Sequence, residues 1–142
     1  MSHRLLIVAN TSWYLYNFRL GLIKDLISSS REVITLAPKD ETSQELINTG
    51  CTFINLKIDK KGLNPITDIQ LKNRLTRIYD ETAPDLIIHY TIKPVIYGSM
   101  AAAKLGIPFV NNITGLGTAF IQENWVTWLV KRLYRFSLKR PV

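Results

Sequence analysis

The chain has 142 residues, 46% of them hydrophobic and 20% charged, enough for one domain with its own core and too few for two. Its net charge of +7 is unevenly placed: residues 1–85 carry 11 basic and 10 acidic groups, whereas residues 86–142 carry 7 basic groups against Glu123 alone. Such an excess attracts anionic partners, but no nucleic-acid recognition motif accompanies it, which sets that class aside and leaves anionic lipid head groups or phosphorylated small molecules.

The first apolar run, Leu5 to Ala9, is too short for the core of a signal peptide, and no stretch reaches membrane-spanning length, so a cytoplasmic domain is expected. That run reads as a buried strand, followed by an amphipathic helix over roughly 16–29, a strand over 32–37 and a short helix over 41–49. Asp40 or Thr42 is placed to cap that short helix and Gly50 to end it. A lone Cys51 permits no internal disulfide and no zinc site, and reads as a small buried hydrophobe. Next come a strand over 52–56, a helix over 67–82, a strand over 85–89, a helix over 94–105 and a strand over 108–112, with Gly106 and Pro108 separating the last two. A last helical pattern runs from Gln122 to Lys139, with Lys131, Arg132, Arg135 and Lys139 on one face. Strands that are apolar throughout, alternating with helices, predict right-handed βαβ units on a doubly wound parallel sheet, an α/β, Rossmann-like domain over residues 1–142. No strand follows the last helix, so the sheet is expected to be a truncated one.

In open α/β sheets ligands bind beyond the carboxyl ends of the strands. After the first strand, Asn10 to Arg19 forms a polar and aromatic segment containing Ser12, Trp13, Tyr14 and Arg19, entering a helix whose free N–H groups can hold an anion. It lacks the glycines of a dinucleotide-binding turn, so nicotinamide binding is not expected. After the fourth strand, His89, Tyr90 and Lys93 meet a helix start at Pro94, and His89 is the candidate general base or hydrogen-bonding group, the alternative being a satisfied structural residue at the strand end. After the fifth, Thr114, Gly115 and Gly117 form a turn that exposes backbone N–H groups. No HExxH, GxSxG or P-loop pattern is present and carboxylates are sparse in these loops, so no metal and no self-contained hydrolytic site is expected.

The ordered set Asn10-Thr-Ser-Trp, Tyr16-Asn-Phe-Arg, Lys61-Gly-Leu-Asn-Pro65, Thr91-Ile-Lys-Pro, Tyr97-Gly-Ser-Met-Ala-Ala and Ile113-Thr-Gly-Leu-Gly117 resembles the N-terminal domain of glycosyltransferase family 4. The likeness spans nearly the whole chain and is strongest to the bacterial subgroup that extends glycans on undecaprenyl diphosphate for capsule, lipopolysaccharide or protein glycans. It implies one half of a GT-B enzyme, retaining sugar transfer from a nucleotide-sugar to a lipid-linked glycan, and no cofactor or essential metal. In that family the donor-binding E-x7-E glutamates belong to a second domain, so this chain alone is expected to be inactive. By the resemblance, Asn10 to Arg19 lines the cleft floor, and His89, Tyr90, Lys93 and Thr114 to Gly117 line the acceptor side. A non-catalytic partner subunit supplying an acceptor surface is the alternative.

A lipid-linked acceptor gives the basic excess a meaning. Trp125 and Trp128 beside Lys131, Arg132 and Arg135 resemble an interfacial helix, with rings at head-group depth and cations toward anionic lipid. The alternative is a packed helix with a solvated basic face.

Overall fold

A computed structural model describes residues 3–59, 62, 64–113, 128, 131–133, 135 and 136. Five parallel strands form one sheet, β1 (Arg4–Val8), β2 (Glu32–Ala37), β3 (Thr52–Asn55), β4 (Leu86–Tyr90) and β5 (Phe109–Asn112), in the order β3-β2-β1-β4-β5. Four α-helices connect them: α1 (Ser12–Ser28), α2 (Ser43–Asn48), α3 (Pro65–Thr82) and α4 (Ser99–Leu105). The fold class and all five strands follow the pattern of the sequence.

Strand alternation explains why the central strands carry apolar residues on both faces. Leu6 and Val8 enter one core with Leu71, Leu75, Ile78 and Tyr79 of α3 and Ala101 and Ala102 of α4. Ile7 and Ala9 enter a second core with Leu15 and Ile23 of α1 and Leu46 of α2. A strand covered on both faces takes a polar side chain only where a partner satisfies it, as at Thr35 and His89. Cys51 lies in the second core, its thiol donating to the Leu46 carbonyl at 3.1 Å.

Three departures from the predicted elements bear on the site. The first helix begins at Ser12, because Thr11 in extended conformation caps it and accepts the Tyr14 N–H. Trp13 and Tyr14 are therefore on the helix and not in a loop before it, along with Arg19, which the predicted helix already contained. The second helix starts at Ser43, after a turn in which Asp40 Oδ1 accepts from both the Thr42 amide and its hydroxyl. The fourth is split: a π-helical turn over Pro94–Gly98 precedes α4, which Gly106 closes at φ +70°.

Chain order in the sheet reverses between β1 and β4. The segment after β1 enters α1 on one face, while the segment after β4 enters the π-turn and α4 on the other, so a crevice opens between their carboxyl ends.

Candidate functional site

At this switch point the two diverging segments are tied together. The Asn10 amide donates to Thr91 Oγ1 at 3.1 Å. Thr91 has φ +69°, a left-handed conformation that a β-branched residue rarely adopts and that costs roughly 1–3 kcal/mol. The contact to Asn10 helps hold the chain in that turn.

Arg19 reaches back over this turn. Its guanidinium lies 4.5 Å from the Tyr90 ring centroid and 5.5 Å from that of Tyr14, and its Nη2 donates to the Tyr14 hydroxyl at 2.9 Å. Cation–π contact with two rings holds the side chain without neutralising it. Its Nε has no solvent access and no hydrogen-bond partner, and it meets no carboxylate in the described residues. The arrangement is a half-buried, uncompensated cation framed by aromatic rings and suited to an anionic or hydroxyl-rich ligand. Trp13 and Phe18, stacked edge to face at 5.6 Å, extend this face outward with exposed rings.

The amino terminus of α1 is less free for an anion than the sequence suggests. Thr11 takes the Tyr14 N–H, and Asp40 Oδ2 accepts from the Trp13 N–H at 3.0 Å. A carboxylate there already answers the helix dipole and repels a second anion. Ser12 is fully buried, its Oγ donating to the Pro38 carbonyl at 2.6 Å, so it splices α1 to the end of β2 and does not face the crevice. Asp40 was not picked out as a site residue, because its partner lies 27 positions upstream.

His89 is placed differently from the expectation of an accessible base. It has no exposure, and both ring nitrogens are engaged, Nε2 with the Tyr79 hydroxyl at 3.0 Å and Nδ1 with Asn111 Oδ1 at 2.8 Å. Asn111 Nδ2 in turn donates to Ser99 Oγ at 2.8 Å. The amide oxygen of Asn111 can only accept, so Nδ1 carries the proton and Nε2 accepts from Tyr79. Burial pushes the imidazole from the usual value down to about 4, against a smaller opposing effect of the Asn111 hydrogen bond. Gly98 lies so close that a Cβ there would stand 2.5 Å from His89 Nε2. His89 is a satisfied interior residue beneath the crevice.

Lys93 is also committed. Its Nζ donates to Asp68 Oδ1 at 2.8 Å, with side-chain exposures of 12% and 5%, and the Tyr97 hydroxyl donates to Asp68 Oδ2 at 3.0 Å. Burial first, and the Asp68 charge second, raise the Tyr97 phenol, which stays protonated. Thr114, Gly115, Gly117 and Trp125 lie outside the described residues. Trp128, Lys131, Arg132 and Arg135 are helical; Trp128 and Phe136 are exposed, and Arg132 stacks 5.4 Å from the Trp128 ring. With Lys131, Arg135 and Phe136 these two border a cleft of about 380 Å³.

A doubly wound parallel sheet with a basic, aromatic crevice at its switch point is a Rossmann-like ligand-binding domain of the kind that forms half of a GT-B enzyme. The glycosyl transferase 4-like family model matches residues 4–141, and the chain belongs to that family. It is 28% identical over 130 residues to the N,N'-diacetylbacillosaminyl-diphospho-undecaprenol alpha-1,3-N-acetylgalactosaminyltransferase of Campylobacter jejuni, covering 88% of this chain and 35% of that protein. Among solved structures, a glycosyltransferase of Rickettsia africae superposes with TM-score 0.65 at 13% identity, over 88% of this chain and 34% of that one. MurG of Acinetobacter baumannii gives 0.63 at 18%, over 94% and 39%. A putative UDP-N-acetylglucosamine 2-epimerase of Listeria monocytogenes gives 0.66 at 13%, over 98% and 38%. The chain thus spans little more than a third of each of these proteins, and the likeness to the solved structures, at such low identity, is one of fold. No helix among the described residues is long and apolar enough to cross a membrane.

Proposed function

We propose that this chain is the acceptor-side half of a retaining glycosyltransferase that moves a sugar from a nucleotide-sugar to a glycan on a lipid diphosphate. The observation that carries this reading is the uncompensated Arg19 between Tyr14 and Tyr90 at the switch point, in a chain of the glycosyl transferase 4-like family. The acceptor chemistry is supported by the Campylobacter relative, whose name specifies a diphospho-undecaprenol substrate. In the transfer an acceptor hydroxyl oxygen bonds to the anomeric carbon and its proton passes to the departing diphosphate oxygen, while the bond from that carbon to the nucleoside diphosphate breaks. Asn10, Trp13, Tyr14, Arg19 and Tyr90 orient the acceptor, and the donor is held by residues beyond these 142.

The exposed Trp128 and Phe136 beside Lys131, Arg132 and Arg135 support a second element of the proposal, a face resting on an anionic membrane. It brings a lipid-anchored substrate to the crevice.

The test is Arg19→Ala in the full-length enzyme, assayed with a lipid-linked acceptor. Turnover at subsaturating acceptor should fall roughly 10- to 100-fold with the melting temperature little changed. Wild-type transfer by that variant would remove the crevice from the reaction.

A further inference from the structure

Beyond the Arg19 crevice, the same edge of the sheet carries a second depression. It has a volume of about 470 Å³ and lies past the ends of β2 and β3, walled on its far side by the first turns of α3. That is within the range of roughly 300–1,000 Å³ that suits small ligands. Pro38, Ile58 and Leu71 give it an apolar part, and Lys39, Lys57, Arg74, Asn55, Asp59 and Thr67 line the rest. Pro38, which lines it, also receives the Ser12 hydroxyl on its carbonyl, so the wall of the depression is tied to the start of α1.

Its charge decides what it can hold. The one deeply buried carboxylate on its wall, Asp68, is answered by Lys93 at 2.8 Å and drops out of the local balance. Lys39, Lys57 and Arg74 then stand against Asp59, an excess of cations around a partly apolar hollow. Arg74 is held in place by donating through Nη1 to the Lys57 carbonyl at 2.7 Å, which leaves the rest of its fork for an oxyanion. Among the described residues no aromatic ring lines the depression, so what they offer a ligand is charge and hydrogen bonding and no stacking.

We infer that this depression is an oxyanion subsite, binding a phosphoryl or carboxylate group through Lys39, Lys57 and Arg74. Its assignment to the acceptor rests on the transfer reading above, whereas oxyanion binding itself does not. An acceptor lying across the crevice would place a charged substituent here, some way from the reacting hydroxyl, and so be selected by that charge.

Equilibrium titration of the 142-residue chain with inorganic pyrophosphate and, separately, with glucuronate tests the subsite and distinguishes the two oxyanions. At least one should bind, more weakly as salt rises, and the Lys39→Ala/Lys57→Ala variant should bind it roughly tenfold more weakly or worse. Lys39→Arg/Lys57→Arg should retain binding, and both residues are exposed, so melting should not change. If neither anion binds, or if the alanine variant binds as tightly as wild type, the subsite does not exist. The measurement involves no turnover, so that failure leaves sugar transfer to be judged by the Arg19 variant. Loss of binding on Arg19→Ala, with none on the lysine variant, would move the anion to the crevice and equally overturn this inference.

Discussion

His89 and Tyr90 are successive residues of β4, and one step along the strand gives them opposite fates. His89 points into the core beneath α3 and α4, where Tyr79 and Asn111 satisfy both nitrogens. Tyr90 points to the α1 face, where its ring meets Tyr14 at 5.8 Å and supports the Arg19 guanidinium. In the first cluster both ring nitrogens of His89 are taken from within; the second keeps a cation that no carboxylate among the described residues compensates. What separates a structural polar group from a binding one here is unfilled hydrogen-bonding capacity, not residue type or proximity to the strand end.

The largest effect that sharpens this contrast is expected from His89→Ala. Truncation leaves a cavity and strips the Tyr79 hydroxyl and Asn111 amide of a partner in a closed core, for a loss of about 4 kcal/mol of folding stability. Denaturant unfolding should show a lower midpoint with an unchanged slope. A stable His89→Ala variant with reduced acceptor affinity would invert the comparison and return His89 to the crevice.

Acidification probes the same cluster without mutation. The folded imidazole titrates near 4 and the unfolded one near its ordinary value, so above about pH 6.5 both states are neutral and the full stability is present. As the pH falls, the unfolded chain takes up the proton first, and about 3 kcal/mol is lost between about pH 6.5 and 4 from this group. Comparing unfolding curves of the wild type and His89→Asn across that window isolates the contribution, because the variant has no ring to titrate. Parallel profiles for the two proteins would mean that the ring reaches solvent.

The parallel α/β sheet and its order of elements were legible because a strand covered on both faces is apolar on nearly every consecutive residue, as Leu5 to Val8 are and, apart from Thr35, Val33 to Ala37. The region in which to look for a site was open to the same reasoning, since sheet topology directs ligands to the strand ends. Individual roles were not. Whether Lys93 is a ligand contact or half of an ion pair depends on Asp68, 25 residues earlier, and whether the start of α1 can hold an anion depends on Asp40, 27 residues later than Trp13. Lys39, Lys57 and Arg74 carry no local signal, because a cation on a solvated face and one lining a hollow have the same neighbours in sequence. Residues that look chemical in isolation, His89 above all, are those a core can absorb completely when partners converge from α3 and β5.

Lys93 gives the smallest stability effect and the finest discrimination. If its function is the pairing seen here, Lys93→Ala leaves the Asp68 carboxylate buried with only the Tyr97 hydroxyl. Loss of one partner from a closed pair costs roughly 3–5 kcal/mol, and the 12% exposure of the Lys93 side chain, which lets water reach the site, brings the expectation to about 2–3 kcal/mol. Removing both charges should undo most of this. In Lys93→Met/Asp68→Asn, the methionine fills the volume of the aliphatic stem, and the asparagine still accepts from Tyr97, so thermal unfolding should return close to wild type. Activity of that double variant in the full-length enzyme then separates structure from binding. Restored stability with near-normal turnover confines Lys93 to holding α3 against the π-turn, whereas restored stability with lost turnover makes its ammonium a substrate contact in exchange with Asp68.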